Sequence, residues 1–230
     1  MKKILVIGDS NFTKVVIDII DDEGEFEIFG IIDCFNVGKE YLDHNVVGTK
    51  ADIPGIIKEN NIYGGVLAID NNWMRKEVYD KVLAICGDFN FITSIHPTAI
   101  IGKNVIIGRG SILMAGVVVN SDSVIGDFCL LKMQSSLGHE GIMEDYSSLS
   151  FGVITGGNLK LGTFSKISFC TSVIENIKIG AHTFVGAGSL VLKNIPSLSV
   201  VFGVPAENIR KRKKDEEHFS EGHQLTIPIN

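Results

Sequence analysis

From His96 to Val191 the chain reads, in sixes, HPTAII GKNVII GRGSIL MAGVVV NSDSVI GDFCLL KMQSSL GHEGIM EDYSSL SFGVIT GGNLKL GTFSKI SFCTSV IENIKI GAHTFV GAGSLV. Sixteen hexads follow one another without an insertion. The sixth position is a large aliphatic in all of them except at Thr155, and glycine opens eight, at Gly102, Gly108, Gly126, Gly138, Gly156, Gly162, Gly180 and Gly186. An aliphatic every six residues cannot line one face of a 3.6-residue helix. It fits a short strand, a turn and another short strand, and three such sides close a triangular coil. Coils stacked about 4.8 Å apart place the aliphatics in ladders up the inside, about five coils high. On this reading the opening glycines permit the corners. A β-sandwich has no reason to hold so strict a register.

The chain upstream has a different rhythm. Lys3–Gly8, Glu27–Asp33, Tyr63–Ile69 and Phe89–Ile95 read as strands, while Phe12–Asp22, Ala51–Asn60 and Asn71–Gly87 carry apolar residues at helical spacing. Alternating β and α segments predict a small parallel α/β domain. Ligands of such sheets lie beyond the carboxyl ends of the strands. That directs attention to Gly8–Phe12, Asp33–Asn36 and Asp70–Asn72, and within them to Ser10, Asn11, Phe12, Asp33, Cys34 and Asp70 as substrate-binding residues. After Val191 the chain leaves the repeat through Gly203-Val204-Pro205-Ala206, and Glu207–Glu217, rich in lysine and arginine, reads as a short charged helix. The expected organisation is an α/β domain over 1–95, a β-helix over 96–206 and a charged tail over 207–230.

Bulk properties narrow the function. The 230 residues carry a formal charge of −6, which gives no general attraction to nucleic acid or an anionic membrane. No stretch is apolar for long enough to span a bilayer, and Met1–Gly8 reads as a buried strand rather than a secretory signal, so a cytoplasmic protein is expected. Cys34, Cys86, Cys129 and Cys170 are scattered, which suggests free thiols and no zinc site. A hexad protein built as a zinc hydrase would need three converging histidines. His96, His139 and His182 lie more than two coils apart and cannot meet within one chain.

His96-Pro97 at the junction, Leu137-Gly138-His139-Glu140 inside the repeat and Gly203-Val204-Pro205-Ala206 at the exit, together with the preceding α/β domain, resemble one family. It is the group of hexapeptide-repeat sugar acetyltransferases that contains bacillosamine-pathway and perosamine N-acetyltransferases and sialic-acid-pathway O-acetyltransferases. The resemblance implies a left-handed parallel β-helix behind a Rossmann-like domain. It also implies a homotrimer with active sites between neighbouring prisms, and acetyl-CoA as co-substrate with no metal. It implies acetylation of a nucleotide-linked amino sugar for surface glycans.

Acyl transfer needs a base to free the attacking lone pair, and histidine titrates near neutrality. By resemblance, His139 is that base and Glu140 orients its ring. Neighbouring side chains on a regular strand point apart, so the two can cooperate only at a corner. Also by resemblance, acetyl-CoA runs past Ser148, Gly157, Phe169 and Ala187. The basic run Arg210–Lys214 reads either as a contact for its phosphates or as a solvated helix face.

Several positions depart from the family pattern. The first loop, Gly8-Asp9-Ser10-Asn11-Phe12, lacks the usual second glycine and histidine. Asp70 replaces a glycine, Lys132 an asparagine and Ser148 a common histidine, while Asn71 and Arg75 match. A bare aspartate at position 70 would repel a phosphate. Two further readings stay open: O-acetylation of a sialic-acid-like sugar, and, supported by the altered first loop, a trimeric scaffold that has lost its substrate pocket.

Overall fold

The computed structural model describes residues 1–8 and 10–216. Asp9 of the first loop and residues 217–230 of the expected tail lie outside the described residues. The first domain contains β1 (Lys2–Ile7), α1 (Phe12–Glu23), β2 (Phe26–Ile32), β3 (Glu40–Tyr41), β4 (His44–Gly48), α2 (Ile53–Asn60), β5 (Gly64–Leu67) and α3 (Asn72–Ile85). Its sheet has the order β3-β4-β2-β1-β5 and is parallel apart from the β3–β4 pair. β1 is an interior strand between β2 and β5, and Ile4, Leu5 and Val6 are fully buried, as a strand covered on both faces requires. β3 and β4 have no counterpart in the sequence expectation. The expected strand Phe89–Ile95 forms only at its end: Phe91 makes a single bridge to Gly65, and Ser94–Ile95 pairs with Ile112–Leu113 as the first rung of the second domain.

The repeat folds as expected into a parallel β-helix of two-residue rungs. Residues 18 apart are neighbours, as Leu130 shows by pairing with Ile112 on one side and Ser148 on the other. Three parallel sheets result. The first face contains Ile112–Leu113, Leu130–Leu131, Ser148–Leu149 and Lys166–Ile167. The second contains Val118–Val119, Ser136–Leu137 and Ile154–Thr155, and the third Val124–Ile125, Ile142–Met143 and Lys160–Leu161. The sixth-position aliphatics from Leu113 to Val191 form one continuous buried core. Thr155, the polar exception, is also buried. Its Oγ1 donates to the Ser136 carbonyl (3.2 Å) and accepts from the Gly138 N–H (3.1 Å).

The glycines have a different job from the one expected. Every third hexad position from Asn104 to Gly188 is in the left-handed region, with φ between 52° and 68°. This is the corner residue, and it is usually not glycine. Its N–H is held by the coil below, as in Glu140 to the Ser121 carbonyl (3.0 Å) and Asn158 to the His139 carbonyl (2.8 Å), which offsets the roughly 1 kcal/mol of left-handed strain. The first-position glycines instead make room for the next coil: a Cβ on Gly138 would lie 2.3 Å from the Gly156 carbonyl carbon.

The α/β domain lies against the first face. Val16 and Ile20 of α1 share a core with Ile112, Met114 and Leu130. At the corner between the third and first faces, Phe128, Tyr146, Phe164 and His182 stack in one column with centroids 5.2, 5.1 and 4.9 Å apart. α3 covers that column, with Tyr79 against Phe128 and Trp73 against Phe164. His96 joins the domains through Nε2, 3.0 Å from Asp22. Glu207–Lys211, expected as the start of a helix, is a strand antiparallel to Ser199–Phe202. Helical propensity yields here to the open edge of the sheet above Phe184–Val185, and the charged side chains mark this as an edge strand.

Candidate active site

His139 and Glu140 occupy the second and third positions of their hexad, at the corner between the second and third faces. Glu140 takes the left-handed conformation (φ 54°), so the chain turns between two side chains that a strand would send apart. His139 Nδ1 lies 3.4 Å from Glu140 Oε2, and both side chains are more than half exposed. The turn is fixed from beneath by the Glu140 N–H on the Ser121 carbonyl and from above by Thr155 Oγ1 on the Gly138 N–H and the Asn158 N–H on the His139 carbonyl. One coil above, Gly157 leaves the imidazole its space: a Cβ there would stand 2.4 Å from His139 Nε2.

The three loops of the α/β domain differ from this open corner. Asp33 is buried and organises its own loop, accepting from the Phe35 N–H (2.7 Å), Asn36 Nδ2 (2.7 Å) and Tyr41 Oη (3.4 Å). Cys34 is exposed, and Lys50 Nζ donates to its Sγ at 2.9 Å. Gly8, Asp33, Cys34, Lys50 and Lys81 line a small cleft beyond the carboxyl ends of β1 and β2, where a parallel sheet holds its ligands. Ser10 and Asn11 are exposed, with Ser10 Oγ accepting from the Phe12 N–H.

Asp70 is not the bare anion its sequence position suggested. Lys132 Nζ lies 2.7 Å from it and Lys166 Nζ 3.4 Å. Burial alone would raise its carboxyl, but the two lysines outweigh burial and bring it down to about 2. Burial, only partly offset by Asp70, brings the Lys166 ammonium down to about 8. Beneath them Arg75 is wholly buried and donates to the carbonyls of Phe128, Ile69, Asp70 and Tyr146 and to Asn72 Oδ1. Sequence reasoning named Asp70 but gave its partners no role in the site. They come from hexads 62 and 96 residues further on, and Lys160 and Lys178, which share the fifth hexad position of Lys166, are simply exposed.

The four expected cofactor contacts do not share a surface within one chain. Gly157 sits by His139. Phe169, 47% exposed and stacked on Phe151 (5.4 Å), and the exposed Ala187 lie at the corner between the first and second faces. Ser148 is a correction: it is fully buried under the α/β domain, and its Oγ donates to Asn72 Oδ1 at 2.6 Å. Its side chain serves the domain junction. His182, stacked on Phe164, and His96, bound to Asp22, are likewise structural.

Residues 3–82 match the PglD N-terminal domain family. UDP-N-acetylbacillosamine N-acetyltransferase of Bacillus subtilis is 30% identical over 122 residues, which are 50% of this chain and 52% of that protein. The chain thus spans about half the length of the curated relatives it matches. Among solved structures, a mutant of perosamine N-acetyltransferase from Caulobacter crescentus in complex with CoA and GDP-perosamine superposes with a TM-score of 0.85 at 27% identity. The match covers 92% of this chain and 98% of that one. The acetyltransferase domain of PglB from Neisseria gonorrhoeae in complex with acetyl coenzyme A gives 0.84 at 26% identity, covering 90% and 99%. Residues 3–82 thus belong to the PglD N-terminal domain family, and the fold as a whole is similar to that of solved β-helix sugar N-acetyltransferases.

Proposed function

We propose that this protein is an acetyl-CoA-dependent N-acetyltransferase acting on a nucleotide-linked amino sugar, with His139 as general base and Glu140 as the residue that orients it. The observation that carries the reading is the corner at 138–140. It presents an imidazole to solvent, keeps a carboxylate beside Nδ1 and leaves Nε2 unobstructed over a glycine. With Nδ1–H directed at Glu140, Nε2 holds the lone pair. It accepts the proton of the attacking amine as nitrogen adds to the thioester carbonyl, and the C–S bond then breaks, with the imidazolium returning a proton to the departing thiolate. Backbone N–H groups at the exposed corners are the available donors for the oxyanion.

The separation of Gly157 from Phe169 and Ala187 supports a homotrimer. The cofactor contacts expected from the resemblance lie on two different edges of the prism, and a neighbouring copy would bring such edges together. The similarity to solved enzymes that hold CoA, acetyl-CoA and GDP-perosamine supports the co-substrate and the acceptor class. The product would enter surface glycan synthesis. The co-substrate suits a cytoplasmic site, and among the described residues no helix is long and apolar enough to cross a membrane.

The test is CoA release from acetyl-CoA against UDP-, dTDP- and GDP-linked amino sugars and free sialic acid, with His139→Ala alongside. Release with one nucleotide-linked amino sugar, lost in the variant, is the expected result. Release with sialic acid alone would replace this reading with O-acetylation. Failure to bind acetyl-CoA would favour a scaffold.

A further inference from the structure

The junction between the two domains holds more positive charge than it neutralises. Lys132, Lys166 and Arg75 converge there on one carboxylate, Asp70. Arg75 is saturated by carbonyls and Asn72, so its hydrogen bonds are complete. The lysines are not in that state. The Lys132 side chain is only 4% exposed, and among the described residues its ammonium faces Asp70 and the rings of Phe12 (5.3 Å) and Phe151 (5.2 Å). An ammonium has three donors, and a buried charge is stable when paired and hydrogen-bonded. One carboxylate shared between two lysines leaves donors unused and at least one charge uncompensated. The cluster is nonetheless reachable: the Asp70 side chain is 40% exposed, and Phe151 leads to the exposed Phe169.

We infer that Lys132 and Lys166, held apart and partly neutralised by Asp70, form a recognition site for an oxyanion carried by the acceptor, a carboxylate or a phosphate. The assignment to the acceptor rests on the function proposed above; the anion site itself does not. Asp70 acts as a place-holder. It keeps the two ammonium groups from repelling each other when the site is empty and sets the charge the ligand must supply. The aromatic rings of Phe12 and Phe151 give the site walls that favour a compact anion attached to an apolar or sugar-like body over free, strongly hydrated ions.

The place-holder role makes a prediction opposite in sign to that of a structural ion pair. Binding to the full-length protein is measured by calorimetry with four probes: N-acetylneuraminate, its neutral methyl ester, UDP and inorganic phosphate. N-acetylneuraminate or UDP should bind, and the methyl ester should bind at least about tenfold more weakly than the acid if the carboxylate is the anion read. Lys132→Gln should weaken the bound probe about tenfold or more, whereas Asp70→Asn should tighten it, because it removes the competing anion. Preference for N-acetylneuraminate would identify a carboxylate, and preference for UDP a phosphate. If Lys132→Gln does not fold, as judged by its melting transition, the Asp70→Asn result still decides. Weaker binding in Asp70→Asn, equal binding of the acid and its ester with no UDP bound, or binding by none of the probes would overturn the site. Loss of acetyl transfer with anion binding intact would count against the proposed reaction and leave this site standing.

Discussion

Two corners of the same prism share a backbone and differ in everything else. At the corner between the third and first faces, the left-handed residues of successive coils are Phe128, Tyr146, Phe164 and His182, stacked ring on ring and covered by α3. At the corner between the second and third faces, the same position holds Asp122, Glu140, Asn158 and Asn176, and among the described residues nothing covers it. The φ angles are the same within a few degrees. A repeat that fixes the backbone so strictly leaves side chains to decide what each edge does. One edge becomes the seat of a second domain, and the other presents His139 on a ledge with a glycine above it. The repeat also explains why two side chains adjacent in sequence, such as His139 and Glu140, can meet: every corner contains the turn that brings them together.

The largest expected effect lies on the closed corner. Phe128→Ala removes a ring that is 1% exposed from the middle of the aromatic cluster and should lower stability by about 3–5 kcal/mol in chemical denaturation, with kcat per folded molecule retained. At the open corner, Gly157→Ala should do the reverse. Its Cβ would stand 2.4 Å from His139 Nε2 and push the ring aside, lowering kcat about 100-fold, while melting within a few degrees of wild type. Glu140→Gln should lower kcat only about tenfold, because the contact with Nδ1 is long and exposed. The smallest effect belongs to the junction. The Asp70 carboxyl, lowered in the folded protein from 3.8 to about 2, stabilises the fold above pH 4, and that contribution is lost as the pH falls towards 2. With its side chain 40% exposed, solvent screening leaves about 1 kcal/mol, to be read as a difference in the acid limb of a pH–stability curve that Asp70→Asn abolishes.

The fold was legible because its signal is local and repeated. Each sixth-position aliphatic from Leu113 to Val191 is where the register puts it, and the α/β alternation recovered β1, α1, β2 and α3 to within a residue or two. What failed depended on distant partners. Glu207–Lys211 is a strand only because Ser199–Phe202 offers an edge, and its charged sequence says nothing of that. The first-position glycines suggested flexible corners, but the requirement they meet is the backbone of the next coil. The meeting of His139 and Glu140 at a turn was legible because the corner is encoded within the hexad. Ser148 was misread, since the face of the rung on which it lies is covered by a domain more than 70 residues upstream. The lysines of the junction were invisible as a cluster for the same reason.

The division between a closed, structural corner and an open, chemical one is tested most directly by kcat and the melting temperature of His139→Ala beside those of Phe128→Ala, with the acceptor that supports CoA release. A roughly 10³-fold fall in kcat at unchanged melting temperature for His139→Ala, against retained kcat at much reduced stability for Phe128→Ala, is the expected pair. Wild-type turnover in a folded His139→Ala protein would contradict the account.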